Sequence, residues 1–347
     1  MEVIMKTSVI GFPRIGTLRE LKFASEKYFR KEIEVKELLH TAELLRKEHW
    51  AKQKNTGINY ISSNDFSFYD MVLDTAVLLG IIPNRYKELH LSELDTYFAM
   101  ARGYQGDFGD VKALAMKKWF NTNYHYIVPE IDDNVSIKLS GNKIWNEYAE
   151  AKEQGIETKP VVIGAYTMLK LCRYTGKQSA ENYVEAMIKA YRELIEKCEE
   201  NQISWIQFDE PSLVQDMNKK DIELFHKIYD NLLTSIKTSK VLLQTYFGDI
   251  RDVYLDLIKM PFAGIGLDFI EGKETYNLIK EYGFPKDKLL FAGLINGKNI
   301  WKNHYEETLK ILSSLKDKEI QTVLSTSCSL LHVPYTLNHE EKLSQDY

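Results

Sequence analysis

Residues 205–212 read Trp-Ile-Gln-Phe-Asp-Glu-Pro-Ser, WIQFDEPS. An apolar run closes on two carboxylates, Asp209 and Glu210. Pro211 then ends ladder pairing, because proline has no N–H to donate. This is a strand with a polar C-terminal end. Upstream, Tyr183, Met187, Ala190, Leu194 and Cys198 share one stripe of a helix predicted over Ser179–Glu199. Downstream, Ile222, Phe225, Ile228, Leu232 and Ile236 do the same over Asp221–Ile236. Both spacings follow the helical repeat rather than the strand repeat. The next apolar run, Val241–Phe247, is again a strand. Such alternation produces parallel strands joined by crossover helices.

Working outward, further strands are predicted at Ser8–Phe12, Tyr60–Phe66, Thr122–Val128, Pro160–Tyr166, Gly264–Phe269, Leu289–Leu294 and Thr322–Ser327, with another helix at Asn303–Leu315. Polar residues recur at the strand ends: Asn64-Asp65, Asn123 and His125, Asp209-Glu210, Gln244-Thr245, Asp268, Asn296 and Ser327-Cys328. A closed barrel gathers all such ends at one mouth, whereas an open doubly wound sheet concentrates them at a switch point. The fold class is therefore α/β, a single-domain (β/α)8 TIM-type barrel over 1–332. Nine candidate strands compete for eight staves, so one lies outside. A helix followed by Gly103, Gly106 and Gly109 marks an insertion near 93–112. From 333 to 347 the sequence turns polar, with no cap and no core pattern.

The 347 residues are 44% hydrophobic and 27% charged, with a formal net charge of -5. That balance suits a globular chain and disfavours a general nucleic-acid surface. No run approaches the ~20 apolar residues of a membrane span, and the N-terminus lacks a signal-peptide apolar region. Cys172, Cys198 and Cys328 form no C-x-x-C pair, which argues against a disulfide framework or zinc module and for a reducing cytoplasm. No phosphate-binding glycine loop is present.

Four clusters carry candidate chemistry. Asp209 and Glu210 suit acid–base work, and a glycosidase would pair one of them with Asp268 or Glu271 across a sugar-sized gap. The alternative is structural, with one carboxylate paired with a neighbouring Arg or Lys and the other capping a helix. Cys328 and His332 suit a nucleophile and base, a metal pair, or simply a buried thiol at a strand end. In KKWFNTNYHY, residues 117–126, alternation places Asn121, Asn123 and His125 on one face, expected to point into the mouth, with Lys117 and Lys118 just before them. Finally, FPRIGTLRELKF, residues 12–23, crowds Arg14, Arg19 and Lys22 at a strand-to-helix junction. Thr17-x-x-Glu20 reads as a capping box, so the helix is expected to begin at Thr17. Cations in its first turns oppose the helix dipole, unless an anion binds there.

Seven stretches in order resemble the N-terminal half of cobalamin-independent methionine synthases. They are IGFPRIG…RELKFASEKYF, FSFYDMVLDTAVLLG, MKKWFNTNYHYIVPE, WIQFDEPSLV, LLQTYFGDI, LFAGLINGKNIW and STSCSLLHVP. The resemblance implies a methyltransferase that moves a methyl group from 5-methyltetrahydropteroyl-polyglutamate to homocysteine, with two facing (β/α)8 barrels. It implies that residues 333–347 start the connection to a C-terminal barrel that carries the catalytic zinc and lies outside this sequence. It assigns the folate's polyglutamate tail to Arg19, Glu20, Leu21, Lys22 and Lys118, and gives Asn123 and His125 no firm role, leaving them candidates for the pterin or its linker. Gln244 and Tyr246 stand where the other barrel would have zinc ligands, and Cys328 is left without companion ligands. No metal and no catalytic residue is therefore expected here. Two other readings stand beside this one: a free-standing anion- or folate-binding module serving a separate catalytic chain, and a hydrolase using Asp209, Glu210 and Glu271.

Overall fold

The structure, a computed structural model, describes residues 5–342 and 344. Parts of the expected 1–332 and 333–347 segments, at 1–4, 343 and 345–347, lie outside the described residues. Eight parallel strands form one sheet: β1 Lys6–Ser8, β2 Ile61–Ser63, β3 Thr158–Ile163, β4 Trp205–Asp209, β5 Lys240–Gln244, β6 Gly264–Asp268, β7 Leu289–Ile295 and β8 Thr322–Thr326. The order is β1-β8-β7-β6-β5-β4-β3-β2. A parallel bridge between Ser8 and Tyr60, with the Tyr60 N–H donating to Thr7 O at 3.0 Å, brings β1 onto the entry to β2 and closes the ring.

The ninth predicted strand, Thr122–Val128, is the one left outside. Its His125–Ile127 pairs antiparallel with Met116–Lys118 in a separate hairpin. Closing that short loop costs far less chain entropy than joining the distant sheet. In the 93–112 region, the helix Glu93–Arg102 runs into a second hairpin, Tyr104–Gly106 with Gly109–Val111.

Alternation in β4 divides the core into two layers. Ile206 and Phe208 face outward and pack with Tyr191, Leu194, Phe225 and Leu232 of the helices Ala180–Glu200 and Lys219–Leu233. Each fully buried side chain of this kind contributes roughly 1.5–3 kcal/mol. One end of the barrel interior is apolar, holding Leu242, Phe291 and Val323 with Tyr60 and Trp205 packed against them. Beside that plug lie the buried polar groups Lys159, Gln207, Gln244 and Asp209. After β8, Tyr335 packs against Phe12 and His49, and Lys52 Nζ donates to its hydroxyl at 2.8 Å.

Candidate functional site

At the first junction the helix begins at Glu20, not at Thr17. The expected capping box does not form because the preceding turn satisfies its own amides. Arg19 N–H donates to Gly16 O at 3.3 Å, and Leu18 N–H donates to Glu20 Oε2 at 3.0 Å. Gly16 has φ +85°, and a Cβ there would stand 2.1 Å from Glu20 Oε2, so only glycine fits. Arg19 occupies the N-cap position in the left-handed region, at φ 63° and ψ 36°. An arginine there stores on the order of 1 kcal/mol. Arg19→Gly is therefore expected to raise the urea midpoint or Tm slightly, by up to about 1 kcal/mol of stability, while weakening anion binding. A loss of stability would show that the Arg19 side chain holds the turn.

Leu21 points inward, packing with Ala42, Leu45 and Phe66. Lys22 pairs loosely with Glu26 at 3.6 Å. Beside it opens a cleft of about 350 Å³ lined by Arg14, Lys22, Glu26, Phe29, Tyr69 and Arg102, among others. Arg14 Nη1 donates to Ser67 O at 2.7 Å, and the Arg102 guanidinium lies 3.6 Å from the Phe29 ring centroid. Among the described residues, Arg14, Arg19 and Arg102 form no ion pair with a carboxylate. The cleft thus carries unneutralised positive charge on a chain that is acidic overall.

Lys118 is exposed at the end of its hairpin strand, opposite His125, and does not line this cleft. Asn123 and His125 are also exposed. The face expected to enter the barrel mouth is the reverse one. Tyr124 and Tyr126 turn inward, and the Tyr124 hydroxyl donates to Tyr69 O at 2.9 Å. Aromatic burial decides which side of the hairpin faces the core. Asn121 alone of that trio reaches across, donating to Glu271 at 2.5 Å and accepting from Lys298 at 2.6 Å, while Lys298 pairs with Glu271 and covers the Phe247 ring.

The mouth itself is filled. A cavity of about 30 Å³ remains among Asp70, Trp119, Tyr124, Tyr126, Asp209, Tyr246 and His332 with neighbouring side chains. That is room for about one water molecule. Burial pushes Asp209 and Glu210 up to about 7 each, against the hydrogen bonds they accept. Glu210 takes the N–H groups of Tyr166 at 3.0 Å and Thr167 at 2.7 Å, at the start of the helix Ala165–Leu171, and the Tyr229 hydroxyl as well. Gly164 makes room for it, since a Cβ there would lie 2.1 Å from Glu210 Oε1. Asp209 accepts from Gln207 at 2.7 Å and from Tyr246 at 3.0 Å. Gln207 in turn accepts from buried Lys159, which also donates to Val9 O at 2.9 Å. Glu210 caps a helix, as the structural alternative expects, whereas Asp209 forms no ion pair among the described residues and reaches Lys159 only through Gln207. Glu210 is fully buried and accepts three hydrogen bonds, so it presents no exposed oxygen to a substrate. Asp268 is similarly engaged, accepting backbone N–H groups of Phe247, Ile270 and Glu271.

Burial pushes the Cys328 thiol up to about 12 and His332 down to about 4. A thiol held that far from ionisation is a poor nucleophile. Gln244 Nε2 donates to Thr245 O, and the Tyr246 hydroxyl is spent on Asp209. No group of three metal-binding side chains occurs among the described residues. Sequence reading missed Arg102, Lys298 and Lys159. Arg102 ends a helix like many cations, Lys298 follows a glycine turn, and only register shows Lys159 to be interior.

The chain is similar over residues 6–320 to the family described as cobalamin-independent synthase, N-terminal domain. It is 54% identical over 343 residues to the 5-methyltetrahydropteroyltriglutamate–homocysteine methyltransferase of Campylobacter jejuni subsp. doylei, covering 99% of this chain and 46% of that protein. The enzyme of that name from Lactococcus lactis subsp. cremoris is 54% identical over 342 residues, covering 99% and 45%. The chain thus spans about half the length of the curated relatives it matches. The fold matches a putative vitamin-B12 independent methionine synthase from Listeria monocytogenes (TM-score 0.68, 16% identity, 94% of this chain and 92% of that one). It also matches a B12-independent methionine synthase from Shewanella (TM-score 0.64, 16% identity, 87% and 85%).

Proposed function

Because the chain belongs to the family of cobalamin-independent synthase N-terminal domains, we propose that it binds the polyglutamate tail of 5-methyltetrahydropteroyl-polyglutamate for methyl transfer to homocysteine, a step of methionine biosynthesis. The observation that carries this reading is the unneutralised cationic cleft beside the strained Arg19. A γ-glutamyl chain offers one carboxylate per residue, and these would meet the guanidinium groups of Arg14, Arg19 and Arg102, which have no carboxylate partner among the described residues, and Lys22, whose pairing with Glu26 is loose. Arg19 and Lys22 supply charge, while Glu20 and Leu21 fix the turn, one through the Leu18 N–H and the other through burial. Lys118 would reach the ligand from the neighbouring hairpin, with Asn123 and His125 exposed beside it.

Methyl transfer itself is assigned to a zinc-bearing C-terminal barrel reached through the connection that starts within 333–347. The filled mouth and the saturated Glu210 favour this division of labour over a hydrolase in this barrel. A reducing cytoplasm suits three buried free cysteines, and no helix among the described residues is long and apolar enough to cross a membrane.

Titration calorimetry with tri- and monoglutamyl 5-methyltetrahydrofolate tests the proposal. Replacing Arg19 and Lys22 together by alanine should weaken triglutamate binding about 5- to 30-fold, from two partly exposed contacts of roughly 0.5–1 kcal/mol each. Monoglutamate binding should change less than about threefold by the same arithmetic. Equal losses on both ligands would refute the tail assignment. Co-purification with a separately encoded zinc-bearing chain would instead favour a free-standing module.

A further inference from the structure

We propose that Arg102 is a further binding residue of this site, receiving a tail carboxylate beyond those held by Arg19 and Lys22. The inference rests on the tail-binding reading above and extends it to a residue on a different element. Arg102 closes the helix Glu93–Arg102, far in sequence from the first junction, yet it lines the same cleft as Arg14 and Lys22. A cation suits a helix C-terminus for dipole reasons alone, and that explains the charge. It does not explain the placement of the guanidinium 3.6 Å from the Phe29 ring centroid. Contact between the ring and the planar cation restricts the side chain before any ligand arrives. Guanidinium N–H groups remain for a carboxylate, which a planar fork can grip through two parallel hydrogen bonds. No carboxylate among the described residues pairs with it.

Arg102 and Phe29 also line a second, adjoining cleft of about 560 Å³ that includes Lys31. The residue therefore stands where the two clefts meet. On this reading a monoglutamate ends short of Arg19 and Lys22, whereas a longer chain brings further carboxylates first to those residues and then to Arg102. Its contribution should grow with tail length.

The test is titration of the chain with 5-methyltetrahydrofolates bearing one, three and five γ-linked glutamates. Arg102→Gln should lower triglutamate affinity about three- to tenfold, as expected for one partly exposed charge-assisted contact. Its effect on the monoglutamate should be less than about twofold on the same basis. Arg102→Lys keeps the charge without the planar fork and should recover only part of the loss. Phe29→Leu, which keeps Arg102 but removes the ring, should fall between wild type and Arg102→Gln. The tri-to-mono affinity ratio of the wild type should shrink as salt is raised, and that of Arg102→Gln should shrink less. Unchanged triglutamate affinity in Arg102→Gln would overturn the role of Arg102. If the Arg19 and Lys22 variant still lost tail selectivity, the tail reading would survive that result. If neither variant affected selectivity, or the unsubstituted chain bound no triglutamate, both would fall.

Discussion

Glu210→Ala is expected to cost about 3–5 kcal/mol of folding stability, because it leaves several buried donors without an acceptor. The carboxylate accepts from the Tyr166 and Thr167 amides and from the Tyr229 hydroxyl, all buried. Deleting it orphans three donors at once, and each buried unsatisfied donor costs roughly 1–3 kcal/mol. A cavity is left against Gly164, where no side chain is available to collapse into the space. Urea unfolding followed by circular dichroism measures the loss. The same variant, held well below its melting temperature, should bind triglutamyl folate as the wild type does, since Glu210 does not line the cationic cleft. A cost below about 1 kcal/mol would show that water or another acceptor replaces the carboxylate. A selective loss of activity with stability intact would revive Glu210 as an acid–base group.

Much of this was readable from WIQFDEPS and its flanks. β4 lies at Trp205–Asp209 as expected, and the stripe from Tyr183 to Cys198 is buried along one helix. Such features are encoded locally, by period and by chain-breaking residues. What escaped depends on partners remote in sequence. Thr122–Val128 has the alternation of a stave, but Met116–Lys118 is a nearer partner than any barrel strand. Thr17-x-x-Glu20 has the letters of a capping box, but Gly16 lets the chain turn so that Glu20 reaches Leu18 instead. Arg102 joins Lys22 only because Phe29 and the helix Glu93–Arg102 pack together, a tertiary fact with no local signature. The cationic junction was legible for the opposite reason. It breaks a local electrostatic rule within six residues, and such violations tend to mark function.

Lys159 and Asp209 give the second large effect, and here pH separates stability from chemistry. Both are buried inside the barrel and are linked through Gln207. Burial raises Asp209 to about 7 and lowers Lys159 to about 8. For Asp209, the native state holds its proton more tightly than the unfolded chain. Its stabilising contribution is full below the unfolded pKa of about 4 and is lost as pH rises toward 7. An asparagine side chain does not titrate, so Asp209→Asn should gain on the wild type by on the order of 1–3 kcal/mol between pH 4 and pH 7.5. For Lys159 the sign reverses, because the unfolded chain holds the proton more tightly, and stability should recover as pH rises from about 8 to 10.5. Lys159→Met alone, at pH 7.5, removes the cation near a buried carboxylate and should cost about 3 kcal/mol. Combining it with Asp209→Asn should recover more than the gain Asp209→Asn gives alone, the excess being a coupling energy on the order of 1–3 kcal/mol. Strict additivity of the two substitutions, together with a pH-independent difference between Asp209→Asn and wild type, would mean that the charges do not sense each other and that the barrel interior is wetter than its packing implies.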